Sequence, residues 1–177
     1  MSLVPPPRRM SEAAFVARFA SLYEHSPWVA RRAWQAGLGP DQDSVDGLAR
    51  AFARVVDAAT FEEQRGLILA HPDLGGRAAM RGELSAASSS EQAGAGLDRC
   101  SPAEFERLQR LNAAYRRKFS FPFIMAVRGC RRDEILAAMA RRLDNEAAAE
   151  HRRALAEIHK IARLRLEELV DNHTGGA

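Results

Sequence analysis

Apolar residues in this chain recur at spacings of three and four over most of its length, and no segment keeps the alternation that a half-buried strand requires. No sheet is expected. The stripes run through Phe15, Phe19 and Leu22, through Val45, Leu48, Phe52, Val55 and Ala59, and through Phe105, Leu108, Tyr115 and Phe119. Ile135, Leu136, Met139 and Leu143 make another, and Leu155, Ile158, Ala162 and Leu169 the last. Each marks the buried side of a helix.

Local punctuation divides the stripes into separate helices. Ser11 caps the first, and Ser26 followed by Pro27 opens a second that ends near Gly37. Thr60 with Glu63, and Ser101 with Glu104, have the spacing of capping boxes, the latter with Pro102 at the first helical position. Ser85 caps a helix reaching Leu97, and Asp133 opens another. With 177 residues, 46% hydrophobic and 28% charged, the chain suits one compact all-α domain. About seven to nine helices are expected over residues 10–171, without repeat or linker, between mobile tails at 1–9 and 172–177.

Charge narrows the functional classes. Arg31-Arg32, Arg116-Arg117-Lys118, Arg131-Arg132, Arg141-Arg142 and Arg152-Arg153, with a pI near 9.3, raise the possibility of a nucleic-acid binder. The net charge is only +3, and these groups are spread over many helices among acids, so they read as solvated surface. No nucleic-acid partner is expected. No apolar run approaches the length of a membrane span, MSLVPPPRR is no secretory signal and HTGGA no peroxisomal address, so a cytoplasmic protein is expected. Cys100 and Cys130 form no CxxC pair and read as free thiols. His151 and His159 lack the HExxH spacing of a helical zinc site, so no metal is expected.

The segment HPDLGGR, His71 to Arg77, carries the first chemistry. Pro72 disfavours helical geometry at His71, so the helix holding Leu67, Ile68 and Leu69 stops there and presents an imidazole at its end. Histidine gives and takes protons near neutral pH, although a loop histidine with a satisfied hydrogen bond is the plain alternative. In the following helix Ser88, Glu91 and Gln92 stand at i, i+3 and i+4, on one side. No Lys or Arg lies between Leu84 and Asp98, so that side reads as the wall of a polar pocket rather than an ion-pair ladder. Arg165 falls within the last apolar stripe; a buried guanidinium must meet either a protein carboxylate or a ligand, and spacing leaves both open. Asn112 shares a seam with Leu108 and Tyr115 and reads as structural. Pro122 interrupts any helix continuing from Tyr115, so Phe121, Pro122, Phe123 and Ile124 should be extended, with main-chain groups available to an amide-rich ring. For the Phe121 side chain, packing onto the core is the better reading.

YEHSPWVARRAW, HPDLGGR, SSSEQAGAGL, LNAAYRRKFSFPFIMAVRG and EIHKIARLRL, in order from about Phe15 to Leu169, resemble the 2-oxo-4-hydroxy-4-carboxy-5-ureidoimidazoline (OHCU) decarboxylases. The resemblance implies an all-helical, homodimeric enzyme of urate breakdown that releases carbon dioxide and forms (S)-allantoin without metal or organic cofactor. It implies catalytic roles for His71 and Glu91. Substrate binding would fall to Pro72, Ser88, Gln92, the stretch Phe121, Phe123, Ile124, Met125, Ala126 and Val127, and Arg165. These groups are expected to converge on one small cleft.

Overall fold

A computed structural model describes residues 1–76 and 82–174. Arg77, the end of the first motif, and residues 175–177 of the expected C-terminal tail lie outside the described residues. Among the described residues there are eight α-helices: α1 (Glu12–Phe19), α2 (Pro27–Gln35), α3 (Val45–Asp57), α4 (Phe61–Leu69), α5 (Ala86–Gly94), α6 (Pro102–Phe119), α7 (Arg132–Arg142) and α8 (Ala147–Thr174). The all-α expectation holds. The extended pairing among these residues is one isolated bridge, Ser2 with Ser44. None of these helices is long and apolar enough to cross a membrane.

Contacts group the chain into two compact units, one made of Met1–Leu67 with the chain from His159 onward, the other of Ile68–Ile158. In the first unit the caps fall where the sequence puts them. Ser11 Oγ accepts from Ala14 N at 3.3 Å, and Thr60 and Glu63 exchange backbone and side-chain bonds at 3.0 and 3.3 Å. Phe15, Phe19 and Phe52 form its aromatic centre, with ring centroids 4.8 to 6.2 Å apart. Residues 1–9, expected as a mobile tail, make defined contacts. Leu3 is buried, its N–H donates to Asp43 O at 2.8 Å, Val45 N donates to Met1 O at 3.0 Å, and Arg8 Nε pairs with Asp43 at 2.7 Å. Their partners lie in a distant turn, which no local pattern announces.

The second unit packs α5, α6, α7 and the start of α8 around Leu108, Tyr115, Phe123, Ile135 and Met139, all fully buried. The Ser101–Glu104 capping box opens α6, with bonds of 2.8 and 3.3 Å. Three boundaries differ from expectation. α5 stops at Gly94 instead of reaching Leu97, because Gly96 takes a left-handed φ of +71° and turns the chain into a 3-10 turn. α6 ends at Phe119, where Ser120 adopts φ +60°, so the break precedes Pro122. α7 starts one residue before Asp133, since Glu134 reaches back to accept from Arg131 N at 2.7 Å.

Candidate active site

The HPDLGG loop leaves the end of α4 through His71, whose N–H donates to Ile68 O at 3.2 Å. Side chains from two helices then fix its backbone. Gly75 N–H donates to Gln92 Oε1 of α5 at 2.8 Å, while Gly75 O and Leu74 O accept from Gln109 Nε2 and Asn112 Nδ2 of α6, each at 2.9 Å. Arg116 Nε adds two 3.0 Å bonds to the Asp73 carboxylate. Asn112 is thus structural, as read from its seam. Gly75 is required by geometry, because its φ is +56° and a Cβ there would stand 2.5 Å from Leu108 Cδ2.

The clamp sets the loop against α5. There Ser88 and Gln92 are 5% and 6% exposed, as buried as His71 at 6%, and Glu91 between them is half-buried. Ser85 caps α5 as expected, accepting from Ser88 N at 3.2 Å. A cavity of about 370 Å³ opens beside the clamp, lined by Gly75, Leu84, Ser89, Gln92, Leu97 and Phe105 among others. Its wall is therefore partly loop backbone and partly α5.

The FPFIMAV stretch is irregular, with Phe121, Pro122, Phe123, Ile124 and Val127 buried and Met125 and Ala126 half-buried. Phe121 packs on the core as read, its ring 5.8 Å from Phe119 and 5.9 Å from Tyr115. Several of its main-chain groups are already engaged, with Val127 O accepting from Cys130 N at 3.0 Å. Arg142 Nη1 donates to Ile124 O at 2.7 Å, and Ala126 N donates to Glu157 Oε2 at 3.0 Å.

Arg142 is the correction to the surface reading of the arginine pairs. Its guanidinium is buried over the Phe123 ring, 4.3 Å from the centroid, and donates from Nε and Nη2 to Glu150 Oε1 at 2.8 and 2.5 Å. Glu150, 0% exposed, also accepts from the Tyr115 hydroxyl, and from Asn145 Nδ2 at 2.6 Å. Burial, together with the bond to Glu150, pushes the Tyr115 phenol far above its ordinary pKa and keeps it a donor. The signal was present in the sequence, since Arg142 follows Met139 by three positions and so continues the α7 stripe.

Arg165 lies in the first unit and is buried. Its Nη1 pairs with buried Glu24 at 3.1 Å and reaches the carbonyls of Ser21 and Leu22 at 3.5 Å. Of the two readings left open, the ion pair is the one observed. In the same unit His159 bridges Tyr23, with Nδ1 3.0 Å from the hydroxyl, and Asp57, with Nε2 at 3.1 Å. The structure thus joins the HPDLGG loop to α5 through Gly75 and Gln92, while His71, Ser88 and Glu91 do not line the cavity beside that bond, and Phe121–Val127 belongs to the same unit.

Residues 8–167 match the protein family described as OHCU decarboxylase. The 2-oxo-4-hydroxy-4-carboxy-5-ureidoimidazoline decarboxylase of Haloferax volcanii is 48% identical over 160 residues, 90% of this chain and 91% of that protein. The Mus musculus protein of the same name is 36% identical over 168 residues, 95% of this chain and 93% of that one. A crystal structure of (S)-allantoin synthase is similar with a TM-score of 0.73 at 29% identity, covering 93% of this chain and 53% of that chain.

Proposed function

The chain belongs to the OHCU decarboxylase family, and from that premise we propose that it converts 2-oxo-4-hydroxy-4-carboxy-5-ureidoimidazoline to (S)-allantoin and carbon dioxide in urate breakdown. One observation carries the assignment to residues. His71, Ser88 and Gln92 are buried polar side chains on two elements clamped together by the Gly75–Gln92 bond.

The bond from the ring carbon to the carboxylate breaks, carbon dioxide leaves, and the electron pair passes into the adjacent unsaturated ring system. No cofactor sink is needed for that step. His71 then delivers a proton to one face of the neighbouring, ureido-bearing carbon while the hydroxyl on the decarboxylated carbon gives up its proton and becomes the carbonyl, which forms the C–H bond of the S product. Ser88 and Gln92 orient polar edges of the substrate, Pro72 shapes the wall beside the imidazole, and the FPFIMAV stretch contributes main-chain groups and excludes water. Arg165, whose Nη1 is paired with Glu24, would bind ligand through its remaining donors, as the resemblance of EIHKIARLRL implies. We also place the protein in the cytoplasm as a homodimer, with no nucleic-acid partner; light scattering on the purified chain tests the dimer.

Generating the unstable substrate in situ and following optically active allantoin tests the chemistry. His71→Asn should lose nearly all stereospecific product while the helical circular dichroism stays unchanged, and full activity would remove His71 as the acid. Glu91 has two open roles, holding His71 protonated or accepting from the substrate hydroxyl and ureido groups. Glu91→Gln separates them: in the first case the limb of the kcat–pH profile assigned to His71 moves to lower pH, and in the second it stays while KM rises.

A further inference from the structure

We propose that the second unit carries another binding site, for a small oxyanion, in a cleft of about 320 Å³ lined by Met125, Ala138, Arg141, Arg142, Asn145 and Arg153. Three arginines line one space, and among the described residues no carboxylate lines it. Two of the three have buried acids behind them. Arg142 is taken up by Glu150 and Ile124 O, and Arg153 Nη2 by Glu157 at 2.8 Å. Arg141 is exposed and has no ion pair among the described residues; Asp144 and Glu146, on the turn between α7 and α8, are exposed and do not line the cleft.

The charge balance is therefore one uncompensated cation beside two partly committed ones. Like charges held around one volume repel, and an anion between them reverses the sign of that interaction. Guanidinium also supplies a planar fork of donors that matches two oxygens of a phosphate or carboxylate. At about 320 Å³ the cleft stands at the small end of ligand pockets, which fits inorganic phosphate or a short carboxylic acid. Arg142 also holds Ile124 O, and Arg153 holds Glu157, which holds Ala126 N, so an anion here pulls on both anchors of the FPFIMAV stretch.

Calorimetric titration of the full chain with inorganic phosphate, and separately with acetate, at ionic strength fixed by sodium chloride, tests this without reference to turnover. Saturable binding of one anion per chain is expected, with the Ala126 amide shifting in nitrogen–proton correlation spectra. Affinity should fall about tenfold in Arg141→Gln and in Arg153→Gln, the loss expected for one charge-assisted hydrogen bond. It should be unchanged in Arg110→Gln, which removes an exposed charge paired with Glu106 on α6. Tighter binding of phosphate than acetate assigns a phosphate site, and the reverse a carboxylate site. Heats that do not saturate with either anion, or equal affinities in all four proteins, overturn the proposal.

Discussion

Two irregular stretches of backbone bear on the candidate site, and they are held by opposite means. The HPDLGG loop is fixed mainly by neutral amides, Gln92, Gln109 and Asn112, around one obligatory glycine. The FPFIMAV stretch is fixed by ions, with Arg142 on Ile124 O and Glu157 on Ala126 N, the first resting on fully buried Glu150. Neutral anchors share the load among several bonds of modest strength and do not titrate. Ionic anchors concentrate it, because removing one partner strands the other in a dry interior.

Glu150→Ala should have the largest effect, about 3–5 kcal/mol of stability, because it leaves the Arg142 guanidinium buried without its carboxylate. Chemical denaturation measures it, and a loss under about 1 kcal/mol would place the anchors of the two stretches in the same class. Gly75→Ala comes next, at about 2 kcal/mol, from a left-handed φ forced on a residue whose Cβ meets Leu108. In the in situ assay its kcat should drop as well, since the loop moves with His71.

Acid should loosen the ionic stretch first. His151 stands edge-on to Phe121, ring centroids 6.4 Å apart, and burial, then the charge of Arg152, lowers its pKa from the ordinary 6.5. The folded state thus favours neutral imidazole, so this contribution is present above pH 6.5 and is lost as pH falls through the lower folded value. Hydrogen exchange at pH 5 against pH 7, corrected for the intrinsic rate, should show amides of residues 121–127 losing protection before those of 71–76. Equal loss in both would erase the distinction. The smallest effect belongs to Arg116→Ala, which removes a partly exposed pair with Asp73 and should cost about 1 kcal/mol or less.

Much of this architecture is legible in the sequence because helices are written locally. Ser11, Thr60, Ser85 and Ser101 cap as their spacing says, since an N-cap bond closes within three residues. The His71–Pro72 break and the shared side of Ser88 and Gln92 are legible for the same reason. Glu150 is not, because a carboxylate in a helix reads as surface until its partners Tyr115 and Arg142 arrive from α6 and α7. Nor is the docking of Leu3 beside Asp43, nor the choice of Glu24 for Arg165, each set by residues far apart along the chain. The end of α5 is not legible either, because its small residues read as continuous helix across Gly96, whose positive φ diverts the chain.

The bond from Gly75 fixes which way round the Gln92 amide stands. A backbone N–H can only give, so the carboxamide oxygen is spent on the loop and the NH₂ group is the end left for anything further. The bond leaves both amide hydrogens of Gln92 available, which favours a carbonyl over an amine turned toward them. If Gln92 contacts the substrate as proposed, a ring presenting C=O at that edge is favoured over an isostere carrying NH₂ there. That preference is set by loop main chain at Gly75, before any substrate arrives.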